Sequence, residues 1–286
     1  QDSSFSHVQR KMTESKSRTD QQDDISKHEM APICFMTGAL VKRQFSIFIR
    51  DKVPTVIRFA QAIFTAVLQG LLWFRLKDLD KEAPDDQFQN VQNRFGGIFY
   101  ATTFAAMNAI MTANLTFPSQ RLVFQKERLS NWYYTTLWIF AKSLIDLPIT
   151  FLVILPYSIV IKFMCNFNAA FYEIFLILSL VALVADSMGF CLGCIAKRPD
   201  IAQQLTPVTI IPLFLFSNFF VSNDTIPVWI RWIQYIDCFF YGTRALCIWE
   251  FRGLTDIADN YLQIDLNADI WVDIYALLAL FIGFRI

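Results

Sequence analysis

Lys142 and Asp146 stand four residues apart within a strongly apolar stretch, the spacing at which a cation and a carboxylate meet on one face of a helix and pair. Asp186 lies deep in another apolar stretch without an oppositely charged neighbour in sequence. Such a carboxylate must face other helices, take up a proton or reach water. A proton relay would need partners in other segments, and no obvious chain of them exists, so structural pairing is the favoured reading. Arg58 and Glu173 fall near the ends of apolar stretches, where long side chains reach the polar boundary. Cys191-Leu-Gly-Cys194 has the spacing of a redox or zinc half-site. No second ligand pair accompanies it, and small residues packed against a neighbouring helix explain it better. The two histidines, His7 and His28, both belong to a polar N-terminal stretch, which removes histidine-dependent catalysis from the apolar part of the chain. There is no G-x-x-x-x-G-K-S/T phosphate loop, no G-x-S-x-G elbow and no cluster of carboxylates facing His or Cys. A membrane-embedded enzyme is therefore disfavoured.

The elements that must position these residues follow from composition. The 286 residues are 55% hydrophobic, 16% aromatic and only 17% charged, too apolar for a soluble domain, so lipid is the solvent. A spanning helix needs roughly 20 mostly apolar residues, and six stretches are candidates, at about 54–74, 95–117, 135–163, 169–195, 201–221 and 270–286. The last is still apolar at Ile286 and reads as truncated. Residues 1–33 are rich in Ser, Asp, Gln and Lys and read as a cytosolic linker from an absent upstream domain rather than a signal peptide. Residues 34–286 form the transmembrane domain.

Net charge is zero, but its distribution orients the chain, because Lys and Arg concentrate in short cytoplasmic loops. Lys42, Arg43, Arg50, Lys52 and Arg58 precede or open the first span; Arg121, Lys126 and Arg128 separate the second from the third; Lys197 and Arg198 separate the fourth from the fifth. The alternate connections are acidic, with Asp78, Asp80, Glu82, Asp85 and Asp86 after the first span and Asp224, Asp237, Glu250, Asp256, Asp259, Asp265 and Asp269 after the fifth. Both termini are thus expected in the cytosol, in a plasma or intracellular organelle membrane.

Cys34–Lys52 alternates Leu40, Val41, Phe45, Ile47, Phe48 and Ile49 with Lys42, Arg43, Gln44, Arg50 and Lys52, the pattern of a helix lying in the inner interface. Trp132, Tyr133, Tyr134 and Trp138 open the third span at the level favoured by interfacial aromatics, and Pro148 and Pro156 predict kinks in it. Residues 118–131 form a short polar loop with a helical pattern of its own in Leu122, Phe124 and Leu129. The outer segment 222–269 contains an apolar run, 226–249, broken by Arg231, Asp237 and Arg244. That run is too charged to cross lipid, so it is a re-entrant or surface-lying helical pair. Cys238 and Cys247 within it either form a disulfide or are simply buried. Asn223-Asp-Thr225 is a glycosylation sequon on the outer face, whereas Asn114-Leu-Thr116 falls in or below the membrane and is expected to be unused.

Several motifs then point to one family. Leu115-Thr-Phe-Pro118, Phe124-x-x-Glu127-Arg128, Asn131-Trp-Tyr133, Ala141-Lys142 and Asp146-Leu-Pro148 resemble the membrane domain of G-family ATP-binding cassette transporters, particularly the White-type half-transporters. So do Pro207-Val-Thr-Ile-Ile-Pro212, Leu215-Phe-Ser217, Phe219-Phe-Val-Ser222, Asp224-Thr-Ile-Pro227, Trp232, Tyr235, Tyr241-Gly242 and Glu250-Phe-x-Gly253. Val91-Gln-Asn-Arg94 with Gly96 adds a third match in order, and the resemblance runs from about Leu40 to the end.

The resemblance implies an all-α integral membrane fold of the ABC-2, type V exporter kind: six transmembrane helices, an N-terminal interfacial elbow helix and an outer re-entrant helical segment. It implies a homo- or heterodimer with another G-family half-transporter, exporting lipids, sterols or other hydrophobic molecules by alternating access. ATP and Mg would be held by a nucleotide-binding domain absent from this chain, and no nucleic acid is involved. By position, the substrate path maps onto Phe99, Thr103, Phe104, Met107 and Met111 of the second span and Pro207, Ile211 and Phe214 of the fifth. Phe219 and Phe220 fall where relatives carry bulky apolar residues that plug the outer end, and Asn218 stands where many carry Gly, so a helix break there is less strongly implied. Arg121, Phe124, Lys126, Glu127 and Arg128 would press against the nucleotide-binding domain, with Glu127 and Arg128 available for charge-paired contacts. Asp186 departs from the uncharged polar residue usual in relatives. An ABC-2 permease with a separate ATPase subunit, and a channel, are the alternatives.

Overall fold

In a computed structural model of the chain, residues 32–50, 52–76, 84–130, 132–196, 198–221, 226–252 and 268–285 are described. Their helices are α1 (Ile33–Arg50), α2 (Lys52–Leu72), α3 (Pro84–Leu129), α4 (Thr135–Cys165), α5 (Phe171–Ile195), α6 (Pro199–Phe216), α7 (Cys238–Glu250) and α8 (Ile270–Arg285), with a 3-10 turn at Arg231–Ile236. No strand occurs among the described residues. The N-terminal linker with its two histidines, the acidic stretch 77–83 and Asn223 lie outside them.

Among the described residues, three segments are long and apolar enough to cross a membrane by length and composition: Thr55–Leu72, Thr135–Cys165 and Phe171–Ile195. The other three expected spans lie on α3, α6 and α8. Phe95–Phe117 is the middle of the 46-residue α3, while α6 and α8 have 18 and 16 residues. The apolar run of α6 is diluted by Asp200, Gln203, Gln204 and three prolines.

α5 is the hub, packing on α3, α4, α6, α7 and α8. It is apolar on every side, as a fully surrounded helix must be, and 78% of its apolar length is buried, against 22% for Thr55–Leu72. Its tightest seam is with α3. A Cβ at Gly189 would lie 2.7 Å from the Ile110 carbonyl oxygen, and one at Gly193, a turn later, 2.9 Å from that of Asn114. Pro118 has no N–H to donate to the Asn114 carbonyl, and Gly193 lets α5 approach that same group. The packing residues of this seam are the glycines: both thiols of Cys191-x-x-Cys194 are free, Cys191 donates to the Phe284 carbonyl of α8 at 2.9 Å, and Cys194 is exposed, so the expected small-residue packing does not hold for Cys194.

Buried polar ties cross the bundle where lipid offers no partner. Gln69 donates to the Gly97 carbonyl at 2.8 Å and accepts from Tyr157 at 2.5 Å, joining α2, α3 and α4. Asn114, buried and closed to glycosylation, donates to Thr206 and the Ala202 carbonyl, joining α3 to α6. α7 is too short at 13 residues to span a bilayer. Asp237 caps it by accepting from the Phe239 amide at 2.8 Å, Glu250 pairs with Arg94 of α3, and Arg244 forks onto both oxygens of Asp273 on α8.

Several expectations are corrected. The polar segment after Pro118 is no loop: α3 runs through the proline to Leu129, because helical hydrogen bonding does not require apolar side chains, and at 1.5 Å per residue the helix extends roughly 70 Å, well beyond a bilayer core. Trp138 and Tyr133 are not interfacial aromatics facing lipid. Both are buried with Met36, Leu40, Phe124 and Phe190 in a second core, while Trp132 and Tyr134 are exposed. Cys238 and Cys247 cannot pair, since nine residues of one helix separate them by about 13 Å, beyond disulfide reach. The backbone does break after α6, with Asn218 at φ 64°, because Asn tolerates the left-handed region nearly as glycine does.

Candidate functional site

The residues singled out by sequence fall into three surroundings. At one end, the break at Asn218 turns Phe219 back toward α3. Its ring stacks on Phe99 with centroids 4.1 Å apart and planes 8° apart. Phe220 meets Phe99 edge-on at 5.7 Å, Phe214 meets Phe99 at 5.8 Å, and Phe95 adds a ring 5.1 Å from Phe219. Five phenylalanines thus form one apolar plug, of which Phe220 is 60% exposed and free to meet another surface. Thr103, one turn below Phe99, is half-buried. Pro207 and Ile211 do not join the plug. They lie with Val208 and Leu215 on an exposed apolar face of α6.

The second surrounding is a cavity of about 820 Å³ between α1, α2, α3 and α4. Phe104, Met107 and Met111 line it, so the α3 residues of the expected path divide between plug and cavity. Phe104 also stacks on Tyr157 at 4.5 Å. The polar lining includes Arg58, Asn108, Lys142 and Asp146. Lys142 donates to Asp146 at 2.6 Å, the pairing expected from their spacing. Asp186 finds its partner 99 residues away: Arg285 at the end of α8 donates to it at 2.5 Å, to Ser187 at 3.0 Å and to Asp146 at 3.3 Å. Sequence reasoning missed Arg285, whose one signal is that it is a lone cation within a terminal apolar run. Glu173 turns back to accept from the Ala170 amide at 2.7 Å, closing the start of α5.

The third surrounding is the far end of α3. Phe124 is buried against Trp138, and Arg121 donates to the Ala196 carbonyl at 3.0 Å. Glu127, expected to face outward, is turned inward: it accepts from Arg43 of α1 at 2.6 Å and from Tyr133 at 2.5 Å. Burial alone would raise the Glu127 carboxyl, but those two hydrogen bonds outweigh it and hold the group below the usual carboxylate range. Burial and the bond to Glu127 push the Tyr133 hydroxyl up to about 12. Lys126 and Arg128 do point outward, beside exposed Leu122, Val123 and Leu129. The outward-facing surface is therefore a basic and apolar one, and Glu127 instead fastens α1 to α3.

A depressed carboxyl stabilises the folded state above its unfolded pKa and loses that contribution as pH falls through its folded value. The protection of α1 amides, measured against their intrinsic exchange rate at each pH, should therefore fall on acidification below the ordinary carboxylate range, and Glu127→Gln should show the lowered protection already at neutral pH. The effect is local, ~1 kcal/mol or less for a partly exposed pair. Protection in α1 that ignores both changes would mean that the contact holds nothing.

A family model described as ABC-2 type transporter matches residues 36–251. The chain is 27% identical over 233 residues to ABC transporter G family member 22 of Arabidopsis thaliana, covering 80% of this chain and 29% of that protein. It is 27% identical over 214 residues to Protein white of Drosophila melanogaster, covering 73% and 30%. It is 26% identical over 224 residues to the broad substrate specificity ATP-binding cassette transporter ABCG2 of Rattus norvegicus, covering 77% and 33%. The chain spans about a third of the length of these relatives.

Proposed function

This chain belongs to the ABC-2 type transporter family, among the G-family ATP-binding cassette transporters, and from that membership we propose that it is the membrane domain of an ATP-driven exporter of hydrophobic small molecules. The six-span topology with cytosolic termini, an interfacial α1 and a re-entrant α7 is part of the proposal. Lipids and sterols are the cargo class that the phenylalanine-walled part of the path, between α3 and α6, suits. These 286 residues contain no phosphate loop, so ATP and Mg are assigned to a nucleotide-binding domain outside them.

The observation that carries the reading is the plug of Phe95, Phe99, Phe214, Phe219 and Phe220. It closes one end of the α3 and α6 pair with rings alone, a constriction that excludes water. Beside it, the exposed α6 face of Pro207, Val208, Ile211 and Leu215 supports dimerisation, since a second copy or a sister half-transporter would cover it and enclose the path. The end of α3, with Lys126 and Arg128 outward, is the surface proposed to meet the nucleotide-binding domain, and α1 tied through Glu127 would move with it.

Transport by the full-length protein in inside-out vesicles tests this. Uptake of a lipophilic fluorescent substrate should require hydrolysable ATP, whereas a channel would pass it without. Phe219→Ala with Phe220→Ala removes the contacts of both rings with Phe95 and Phe99, ring pairs worth about 0.5–1.5 kcal/mol each, so the closed state should weaken by at least about tenfold. The vesicles would then leak substrate at normal expression. Unchanged efflux and retention in that variant would refute the gate.

A further inference from the structure

The cavity between α1, α2, α3 and α4 carries a charge imbalance. Where it adjoins a smaller pocket against α5, three cations gather, Arg58, Lys142 and Arg285, and only two carboxylates, Asp146 and Asp186, so one positive charge is in surplus. Lys142 pairs with Asp146 and Arg285 with both carboxylates. Arg58 makes no hydrogen bond or ion pair among the described residues and acts on Asp146 and Asp186 only through their fields. Its half-buried guanidinium forms part of the wall of both cavities. A net positive charge among apolar helices is costly unless an anion joins it.

The rest of the cavity fits an amphiphile rather than a free ion. Ile47, Phe48, Ile57, Met111 and Leu115 line it alongside the polar side chains, and Ile47, Ile57 and Met111 are themselves exposed on the outer surface of the bundle. In the topology proposed above, this opening faces the inner leaflet, where anionic lipids gather at basic pockets between transmembrane helices. We propose that the cavity binds an anionic phospholipid, its phosphate on Arg58 and Lys142 and its acyl chains along Ile57, Met111 and Leu115. The lipid completes the charge of the Asp146–Asp186–Arg285 cluster and is a resident ligand, separate from cargo at the phenylalanine plug.

The test uses the full-length protein in phosphatidylcholine nanodiscs doped with a photoactivatable phosphatidylserine or, in parallel, a photoactivatable phosphatidylcholine. Cross-links are mapped by peptide mass spectrometry. The serine probe should label peptides of α1 to α4 at least about fivefold more than the choline probe, the factor one cation beside an anionic lipid is worth. Arg58→Gln should remove that preference, Arg58→Lys should keep it, and Arg50→Gln, an exposed charge outside the cavity, should leave it intact. Equal labelling by both probes, or a preference that survives Arg58→Gln in monodisperse protein, would overturn the site. So would loss of labelling in millimolar inorganic phosphate, which would make the ligand a soluble anion. Nanodiscs present the same lipids on both faces, so failure here faults the site and not the assigned orientation.

Discussion

Glu250→Ala should leave little folded protein. Glu250 and its partner Arg94 are 1% and 0% exposed, and the second carboxylate oxygen accepts from the Ala169 amide at 3.0 Å. One side chain thus ties α7, α3 and the turn before α5 together. Removing it takes the carboxylate from a buried guanidinium and the acceptor from the Ala169 amide, a loss of roughly 3–5 kcal/mol, against a total stability of about 5–15 kcal/mol for folded proteins in general. Size-exclusion profiles and thermal unfolding of the full-length protein in detergent should show aggregation or a much lowered midpoint. The cause is separable from lost packing: Arg94→Met combined with Glu250→Leu removes both charges, and apolar replacement of a buried pair is commonly neutral or stabilising. The double variant should recover much of what the single one loses. A monodisperse Glu250→Ala protein with the parent's midpoint would show that α7 is anchored elsewhere, at Arg244 and Asp273.

That pair also shows what a sequence hides. Lys142 and Asp146 are legible because one turn of helix brings them together whatever the rest of the chain does. Arg94 and Glu250 lie 156 residues apart, and Arg285 and Asp186 lie 99 apart. Each is visible in sequence only as an isolated charge with no stated partner. The apolar stretches themselves are legible because lipid demands a local run of apolar residues. What the run does not reveal is which of its faces meets protein: α5 is enclosed, whereas Thr55–Leu72 is mostly bare. Trp138 is misplaced at the interface for the same reason, since an aromatic at a span's start suits a headgroup and a packed core equally well. The division of Phe99, Phe104, Met107 and Met111 between plug and cavity follows from their angles around α3, which matter only once the neighbours of each face are known.

The second large effect is expected at the closest seam. Gly189→Ala adds a Cβ that would sit 2.7 Å from the Ile110 carbonyl oxygen and 2.9 Å from the Ile110 Cα. Both are backbone atoms of α3, so no side chain can swing aside, and α5 must move. Overpacking of this kind costs ~1–3 kcal/mol. At Gly193 the obstacle is again backbone, the Asn114 carbonyl at 2.9 Å, and with both substitutions on one face the helices would separate along a full turn. Alanine is otherwise the better helix former, by about 1 kcal/mol, which supplies the control. A Cβ at Gly38 in α1 or at Gly283 in α8 would meet nothing within 4 Å, so alanine there should leave the unfolding midpoint unchanged or raise it. Gly189→Ala should lower the midpoint, and adding Gly193→Ala should lower it further. Because Asn114 also holds Thr206 of α6, a shift of this seam would be felt at the α3 and α6 pair. The same variants should therefore disturb the phenylalanine plug, seen as substrate leakage in a protein whose plug residues are all intact. Midpoints that rise at Gly189 as they do at Gly283 would mean that α5 and α3 stand farther apart than this packing allows.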